Sequence, residues 1–147
     1  MKKIFFIILS VFFILSCKNE KLEMHTRIFG KYMKKEFDLE IKEKPHIYIL
    51  VIHGCKGCVS STFSELLERK DIKNHNKYSF ITSDEKKYHS LKKIGVNVLK
   101  DENNKLNFLN MELANVVILK TKNKKVIFNK SIDLDDLPVS QYLNNFF

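Results

Sequence analysis

Residues 47–58 read IYILVIHGCKGC, and this stretch decides which fold the chain can form. Its first half, Ile47–Ile52, is an unbroken run of aliphatic and aromatic side chains, which is typical of a central strand buried on both faces. The run stops at His53-Gly54, and Val59–Arg69 then carries apolar residues at helical spacing. The sequence therefore predicts a buried strand that leads through a short loop into an amphipathic helix.

Further elements on both sides of this unit are predicted by the spacing of apolar residues. Strands are expected where these residues alternate or form short runs, and helices where they recur every three to four positions. In chain order these elements are a strand over Glu36–Lys42, a strand around Tyr78–Phe80, a short helix capped by Ser83 or Asp84 and stopped by Gly95, a strand over Val96–Leu99, a hairpin of Val116–Leu119 and Val126–Phe128 that turns near Asn123, and a closing helix over Leu134–Phe146. One mixed sheet flanked by helices accommodates this order, so the predicted class is α/β.

The beginning of the chain has the layout of an export signal. Met1-Lys2-Lys3 is basic, Ile4–Leu15 is almost wholly apolar, and polar residues begin at Lys18. The apolar run is shorter than the about 20 residues that a bilayer-spanning helix needs, so it suits the apolar core of a secretory signal. It ends at Ser16-Cys17, and this boundary resembles the cleavage site of a bacterial lipoprotein signal.

The lipoprotein resemblance implies a lipid anchor at Cys17. Diacylglyceryl would be attached to its sulfur, the chain would be cleaved before it, and a fatty acid such as palmitate would acylate the new amino group. The alternative is an ordinary signal peptide with an incidental cysteine. We expect a signal peptide over residues 1–16, a lipid-anchored tether with at most one turn of structure over 17–35, and a folded domain over 36–147. The protein would then lie outside the cytoplasm, in the periplasm or at the cell surface.

Composition narrows the class of protein. The chain has 147 residues and a net charge of +9, which suits one domain of ordinary size. Three cysteines are too few for a scaffold of several disulfides. The positive charge is nearly all lysine, whereas nucleic-acid readers favour arginine for bidentate contacts. Together with an extracytoplasmic location, this disfavours a nucleic-acid partner, and the charge instead favours anionic lipid headgroups near the anchor.

The chemistry of the chain is expected at Cys55-Lys56-Gly57-Cys58. Cys55 would begin the predicted helix, where free amide groups and the positive end of the helix dipole stabilise a thiolate. Lys56 adds a positive charge nearby. Two intervening residues let Cys58 reach back one helical turn, which allows a Cys55–Cys58 disulfide. This pattern favours thiol–disulfide exchange without a further cofactor.

At this motif the chain resembles the thioredoxin superfamily, and within it the membrane-anchored thioredoxin-like lipoproteins. The resemblance covers about residues 36–147 and implies that Cys55 is the nucleophile and Cys58 the resolving cysteine. Substrates would be protein thiols or disulfides, with a separate redox partner. Asn115 takes the position of the family's cis-proline, so we expect a trans peptide bond before it. His53 either shares a proton with the Cys55 thiolate or points to water at the strand end.

Three other interpretations of the motif remain open. A structural disulfide would close a loop of only four residues, which stabilises a fold little. A copper(I) or zinc site would use His53, Cys55 and Cys58, with His75 or His89 as a distant fourth ligand. A binding protein on a degenerate thioredoxin scaffold would keep the motif without using it. Redox chemistry is favoured over metal binding because no second Cys-x-x-Cys occurs, but the direction of electron transfer is not encoded in the motif.

Overall fold

The structure, a computed structural model, describes residues 2–52 (side chains from residue 20), 64, 67–111 and 116–132. A long helix precedes five strands, and a short helix and a 3-10 helix lie on either side of the third strand in the chain. The elements are α1 (Lys2–Phe37), β1 (His46–Val51), β2 (Tyr78–Thr82), α2 (Glu85–Lys93), β3 (Val98–Lys100), a 3-10 helix (Lys105–Phe108), β4 (Val116–Lys122) and β5 (Lys125–Ile132).

The five strands form one mixed sheet in the order β3-β2-β1-β4-β5. β1 runs parallel to β2, and β2 runs parallel to β3, whereas β4 is antiparallel to both β1 and β5. β1 is therefore central, and all six of its residues are buried. This confirms the predicted α/β class and the prediction of a central strand buried on both faces.

Each face of the sheet carries its own apolar core, because successive side chains of a strand point to opposite faces. On one face, Tyr48 and Leu50 of β1 pack with Phe29 of α1. On the other face, Ile49 of β1 packs with Leu91 of α2. The helices α1 and α2 therefore cover opposite faces of the sheet.

The segment Lys18–Lys35 is helical, so the expectation of at most one turn of structure there is wrong. α1 continues unbroken to Phe37. Phe29 and Met33 are almost completely buried, and the rings of Phe29 and Tyr48 meet edge to face with centroids 5.0 Å apart. Burial of this apolar stripe holds the segment on the sheet. The proposed domain boundaries at residues 16/17 and 35/36 stay predictions.

The strand predicted over Glu36–Lys42 is also wrong, because the segment begins with the end of α1 and pairs with no strand of the described sheet. Asp38 has a left-handed backbone with φ of 54°. Its N–H donates to the carbonyl of Lys34 at 3.1 Å, which closes the helix with a left-handed cap. The two side chains also pair, with Lys34 Nζ 2.6 Å from Asp38 Oδ1.

The predicted ends of α2 and the turn of the hairpin are confirmed, whereas the hairpin strands are longer than predicted, over Val116–Lys122 and Lys125–Ile132. The Asp84 side chain accepts the N–H of Lys87 at the start of α2, and Gly95, with φ of 81°, follows its end. β4 and β5 are joined through Asn123 and Lys124, whose φ values are 52° and 60°. Two positive φ values in a two-residue loop match the twist of a hairpin.

Two predicted helices fall largely outside the described residues. Within Val59–Arg69, Ser64, Leu67 and Glu68 are helical, whereas Arg69, which is also described, is not. The closing helix over Leu134–Phe146 lies wholly outside the described residues. No helix in the described ranges is long and apolar enough to cross a membrane.

Candidate functional site

Five paired residues form a row across the sheet where β1 ends. Val51, the last residue of β1, lies opposite Thr82 of β2 and Val116 of β4. Thr82 lies opposite Lys100 of β3, and Val116 lies opposite Ile132 of β5. We call this row the carboxyl edge. The three parallel strands end here, which is the side on which open α/β sheets bind ligands.

The candidate cysteines follow the carboxyl edge in sequence but lie outside the described residues. Cys55 and Cys58 belong to the segment after Ile52, as do His53 and Lys56. The disulfide between the two cysteines, the role of the histidine and the charge effect of the lysine therefore stay predictions.

Two further predicted residues stand in different places. Asn115 directly precedes Val116 in sequence and lies outside the described residues, together with the expected trans bond before it. Cys17 lies within α1, and its side chain is not described. Because Val51 and Val116 lie opposite each other, the segments that contain Cys55 and Asn115 join the sheet at neighbouring strand ends.

The base of the candidate site is apolar and dry. Val51 and Thr82 are fully buried, and Val116 and Ile52 are 1% and 8% exposed. A water-excluded base lowers the local dielectric constant and strengthens the effect of nearby charges and dipoles on a titrating group. A thiol placed over this edge would respond strongly to the charges around it.

A short polar turn follows β2 beside this base. Thr82 Oγ1 accepts the N–H of Asp84 at 3.1 Å, and Asp84 Oδ1 accepts the N–H of Lys87 at 3.1 Å. Asp84 therefore caps α2, whereas the Ser83 hydroxyl is buried and has no hydrogen-bond partner among the described residues. The sequence marked Ser83 only as an alternative cap. Because Asp84 takes the capping position, the Ser83 hydroxyl is left without a hydrogen-bond partner among the described residues. The sequence alone does not show this.

The β3 side of the carboxyl edge carries an exposed charge cluster. Lys100 Nζ lies 2.5 Å from Glu85 Oε2 and 3.1 Å from Glu102 Oε2. The hydrogen bond from Lys100 lowers the pKa of Glu85, and the bonds to Glu85 and Glu102 raise the pKa of Lys100. Glu85 and Lys100 therefore stay charged at neutral pH.

A buried carboxylate, Asp101, lies between Lys100 and Glu102 in the chain. Its side chain is 2% exposed and accepts the backbone N–H groups of Lys105 and Leu106. Burial, together with the negative charge of Asp101, raises the pKa of Tyr32 well above its ordinary value of 10. Asp101 thus anchors the 3-10 helix, while β1 itself contains no carboxylate that could relay a proton.

The two histidines considered as distant metal ligands are both engaged elsewhere. His75 precedes the start of β2, so it lies at the end of the strands opposite to the carboxyl edge. Its Nε2 is 2.8 Å from the carbonyl oxygen of Gly95. His89 lies on α2 with its Nε2 2.7 Å from Glu85 Oε1. Among the described residues, no group of three or more histidine, cysteine or acidic side chains is arranged to hold a metal ion.

Another histidine, His46, is buried at the start of β1, away from the carboxyl edge. Its Nδ1 donates to the carbonyl of Asn76 at 3.0 Å, because that oxygen can only accept. Its Nε2 therefore accepts from the Ser79 hydroxyl at 2.8 Å, and Ser79 Oγ accepts from the Asn97 amide at 2.6 Å. Burial lowers the pKa of His46 from 6.5 to about 4. This neutral network fixes the opposite end of the central strand.

Comparison of the chain with protein-family models, curated proteins and solved structures finds no match.

Proposed function

We propose that the chain is a thiol–disulfide oxidoreductase of thioredoxin-like fold, held outside the cytoplasm by a lipid on Cys17. One observation carries the proposal: the central buried strand of a mixed α/β sheet ends at Val51, and a Cys-x-x-Cys begins four residues later. The motif thus follows the strand whose carboxyl end borders β2 and β4. A strand end is a position at which loop residues are held on a rigid scaffold.

The topology of the sheet supports the thioredoxin-like assignment. Parallel β1 and β2 adjoin an antiparallel hairpin of β4 and β5, and both faces carry helices. This arrangement agrees with the central mixed sheet that the resemblance implies. The pairing of Val51 with Val116 supports the further proposal that Asn115 and the cysteine motif share one substrate-binding region.

The proposed reaction has two thiol exchange steps. The Cys55 thiolate attacks one sulfur of a substrate disulfide, which breaks that bond, releases one substrate thiolate and leaves a mixed disulfide. The Cys58 thiolate then attacks the Cys55 sulfur and releases the second substrate thiolate. The substrate gains two electrons, and the protein ends with a Cys55–Cys58 disulfide. A partner dithiol reduces this disulfide again, and the reverse sequence oxidises a substrate dithiol.

The reduction potential of the cysteine pair tests this proposal. The mature chain, purified in detergent and equilibrated with glutathione or dithiothreitol buffers, is alkylated with a mass-adding maleimide and resolved by gel electrophoresis. We expect the two thiols to convert together into one disulfide as the potential of the buffer rises. The fraction oxidised should follow a two-electron curve, for which a tenfold change in the ratio of disulfide to dithiol corresponds to about 30 mV. A Cys55→Ser variant provides the matched control, because it cannot form the disulfide.

Metal analysis of the same preparation separates redox chemistry from metal storage. Protein isolated in the oxidised state is expected to carry no stoichiometric zinc or copper, because a disulfide removes both thiolate ligands. Tight copper(I) binding by the reduced protein that is lost in a His53→Ala variant would favour the metal-site interpretation instead. Absence of both the two-electron curve and metal binding would favour a binding protein that does not use its cysteines.

A further inference from the structure

One face of α1 carries a stripe of residues that begins at the candidate lipidation position. Positions spaced alternately four and three apart recur on one side of a helix with 3.6 residues per turn. Along α1 this face carries Cys17, Lys21, Met24, Ile28, Lys31 and Lys35, and we call it the outer face. Phe29 and Met33, which are buried against the sheet, belong to a different side of the helix. By its position in the helix, Cys17 therefore belongs to the same face as these lysines.

The outer face is mixed, with both apolar and basic residues accessible to solvent. Met24 is 37% exposed, Ile28 is half-buried, and Lys31 and Lys35 are exposed. Such a face suits an interface between water and an apolar medium, because lysine side chains can lay their methylene stems along apolar surface and keep the ammonium group in the polar layer.

Phe108 extends this face beyond α1. It is 78% exposed, more than any other bulky apolar residue in the part of the chain that the structure describes. The 3-10 helix that presents it is firmly held, because Leu106 is fully buried and Asp101 accepts two of its backbone N–H groups. The exposure of the ring is therefore built into the fold.

Phe108 and the outer face border one open groove of about 290 Å³. Ile28 and Leu109 contribute apolar walls, and three lysines stand around them: Lys31, Lys35 and Lys105. Glu36, also in the groove, accepts a hydrogen bond from Asn103 at 2.7 Å. None of the three lysine ammonium groups forms an ion pair with another described residue. The groove thus combines an exposed aromatic ring with three lysine ammonium groups that outnumber its one carboxylate, Glu36.

We propose that the outer face of α1 and Phe108 rest on a bilayer that contains anionic phospholipids. Phe108 enters the headgroup region, and Lys31, Lys35 and Lys105 contact lipid phosphates, which attract basic residues near the surface. Charge complementarity and the position of Cys17 on the same face favour a membrane over a protein partner. The proposal rests on the membrane attachment in the proposed function and is independent of thiol chemistry.

A single tryptophan tests this contact, since the chain contains none. The mature Phe108→Trp protein is reconstituted into phosphatidylcholine vesicles with or without phosphatidylglycerol, and its quenching by brominated acyl chains is measured. We expect a blue shift and loss of most emission in anionic vesicles only. Lys86→Trp is the matched control: residue 86 is exposed on α2, which covers the other face of the sheet, and its emission should stay unquenched in both.

Charge reversal identifies the lysines. In the Phe108→Trp background, Lys31→Glu with Lys35→Glu should abolish the quenching, whereas Lys86→Glu with Lys93→Glu on α2 should preserve it. Equal quenching in neutral and anionic vesicles, or no quenching in either, would overturn the proposal. Each comparison uses one reconstituted protein in two lipid mixtures, so it does not depend on how the chain is attached. Cys55→Ser should leave the quenching unchanged, which separates this result from a failure of the redox proposal.

Discussion

Val51 and Val116 lie opposite each other in an antiparallel pair, and both side chains are almost completely buried. The two candidate cysteines follow Val51 in the sequence, and Asn115 directly precedes Val116. The pair joins β1, the central strand of the described sheet, to its neighbour β4. Replacing a cysteine of the candidate motif with serine should therefore change the chemistry of the motif without disturbing the pairing of Val51 with Val116.

The two cysteines are expected to differ in reactivity. Replacing Cys58 with serine removes the resolving step, so that attack by Cys55 leaves a stable mixed disulfide with the substrate. Replacing Cys55 should leave a thiol that reacts slowly, because Cys58 would lie one turn inside the predicted helix. Non-reducing gels of membranes that contain each variant, with alkylation rates at pH 7, measure the difference.

The two variants are matched controls for each other. Trapped adducts should be abundant for Cys58→Ser, rare for Cys55→Ser, and absent when both cysteines are replaced. Equal slow alkylation of both single variants, with no adduct in either, would show that the assignment of the nucleophile is wrong.

Lipid attachment is expected to depend on one side chain. Cys17→Ala should abolish metabolic labelling with a fatty acid and should either release the chain from membranes or leave it uncleaved. Cys58→Ala retains the candidate lipidation site and should label like the unchanged protein. Undiminished labelling of the Cys17→Ala variant would contradict the anchor.

Stability is expected to fall in mild acid because of His46. Its pKa is about 4 in the folded protein and 6.5 ordinarily, so the unfolded chain binds the proton more readily. The free energy of unfolding should therefore decrease as the pH falls from about 6.5 to about 4. Denaturant titrations across this range should show a shallower decrease for His46→Gln than for the unchanged protein. An unchanged slope in His46→Gln would argue against the buried neutral ring.

A second stabilising centre is the carboxylate of Asp71. It accepts hydrogen bonds from Arg69 at 3.1 Å, Lys77 at 2.9 Å and the Tyr78 hydroxyl at 2.8 Å. Although burial opposes ionisation, these three donors hold the pKa of Asp71 well below its ordinary 3.8. Their stabilising contribution is present above that pH and is lost as the pH falls further.

Replacement of Asp71 by asparagine should lower the free energy of unfolding by about 1–2 kcal/mol at pH 7, less than for a fully buried group, because the carboxylate is 36% exposed. Chemical denaturation measures the change. Glu102→Gln removes an exposed partner of Lys100 and should cost much less. A loss in Asp71→Asn no larger than that of the control would show that the three donors contribute little.

The predictable parts of the fold are those whose local sequence and tertiary role agree. The apolar run Ile47–Ile52 allows little except a buried strand, and Asp84 and Gly95 have the side chain and the backbone freedom that helix ends require. Asn123 similarly tolerates the positive φ of the hairpin turn. These features are local, so they can be recognised before any long-range contact is known.

The errors arose where the deciding contact is distant. His25, Phe29, Tyr32 and Met33 have helical spacing and are buried, but the surrounding charged residues masked this stripe. Glu36–Lys42 alternates like a strand, yet alternation alone supplies no partner for the backbone hydrogen bonds. For the candidate site, sequence specifies the motif and its place after β1, while the orphaned Ser83 hydroxyl depends on the packing of neighbouring elements.

The unbroken course of α1 through Cys17 has a consequence for maturation. Cleavage before Cys17 would remove the carbonyl groups that the first amides of the remaining helix need as partners. A free ammonium group would be repelled by these exposed amides, and acylation would remove its charge. Glu20 and Glu23, in the first two turns of the shortened helix, would supply the favourable opposite charge. Processing at Cys17 would thus change the stability of the new helix end. As a result, it would also change the stability of the packing of α1 against the sheet.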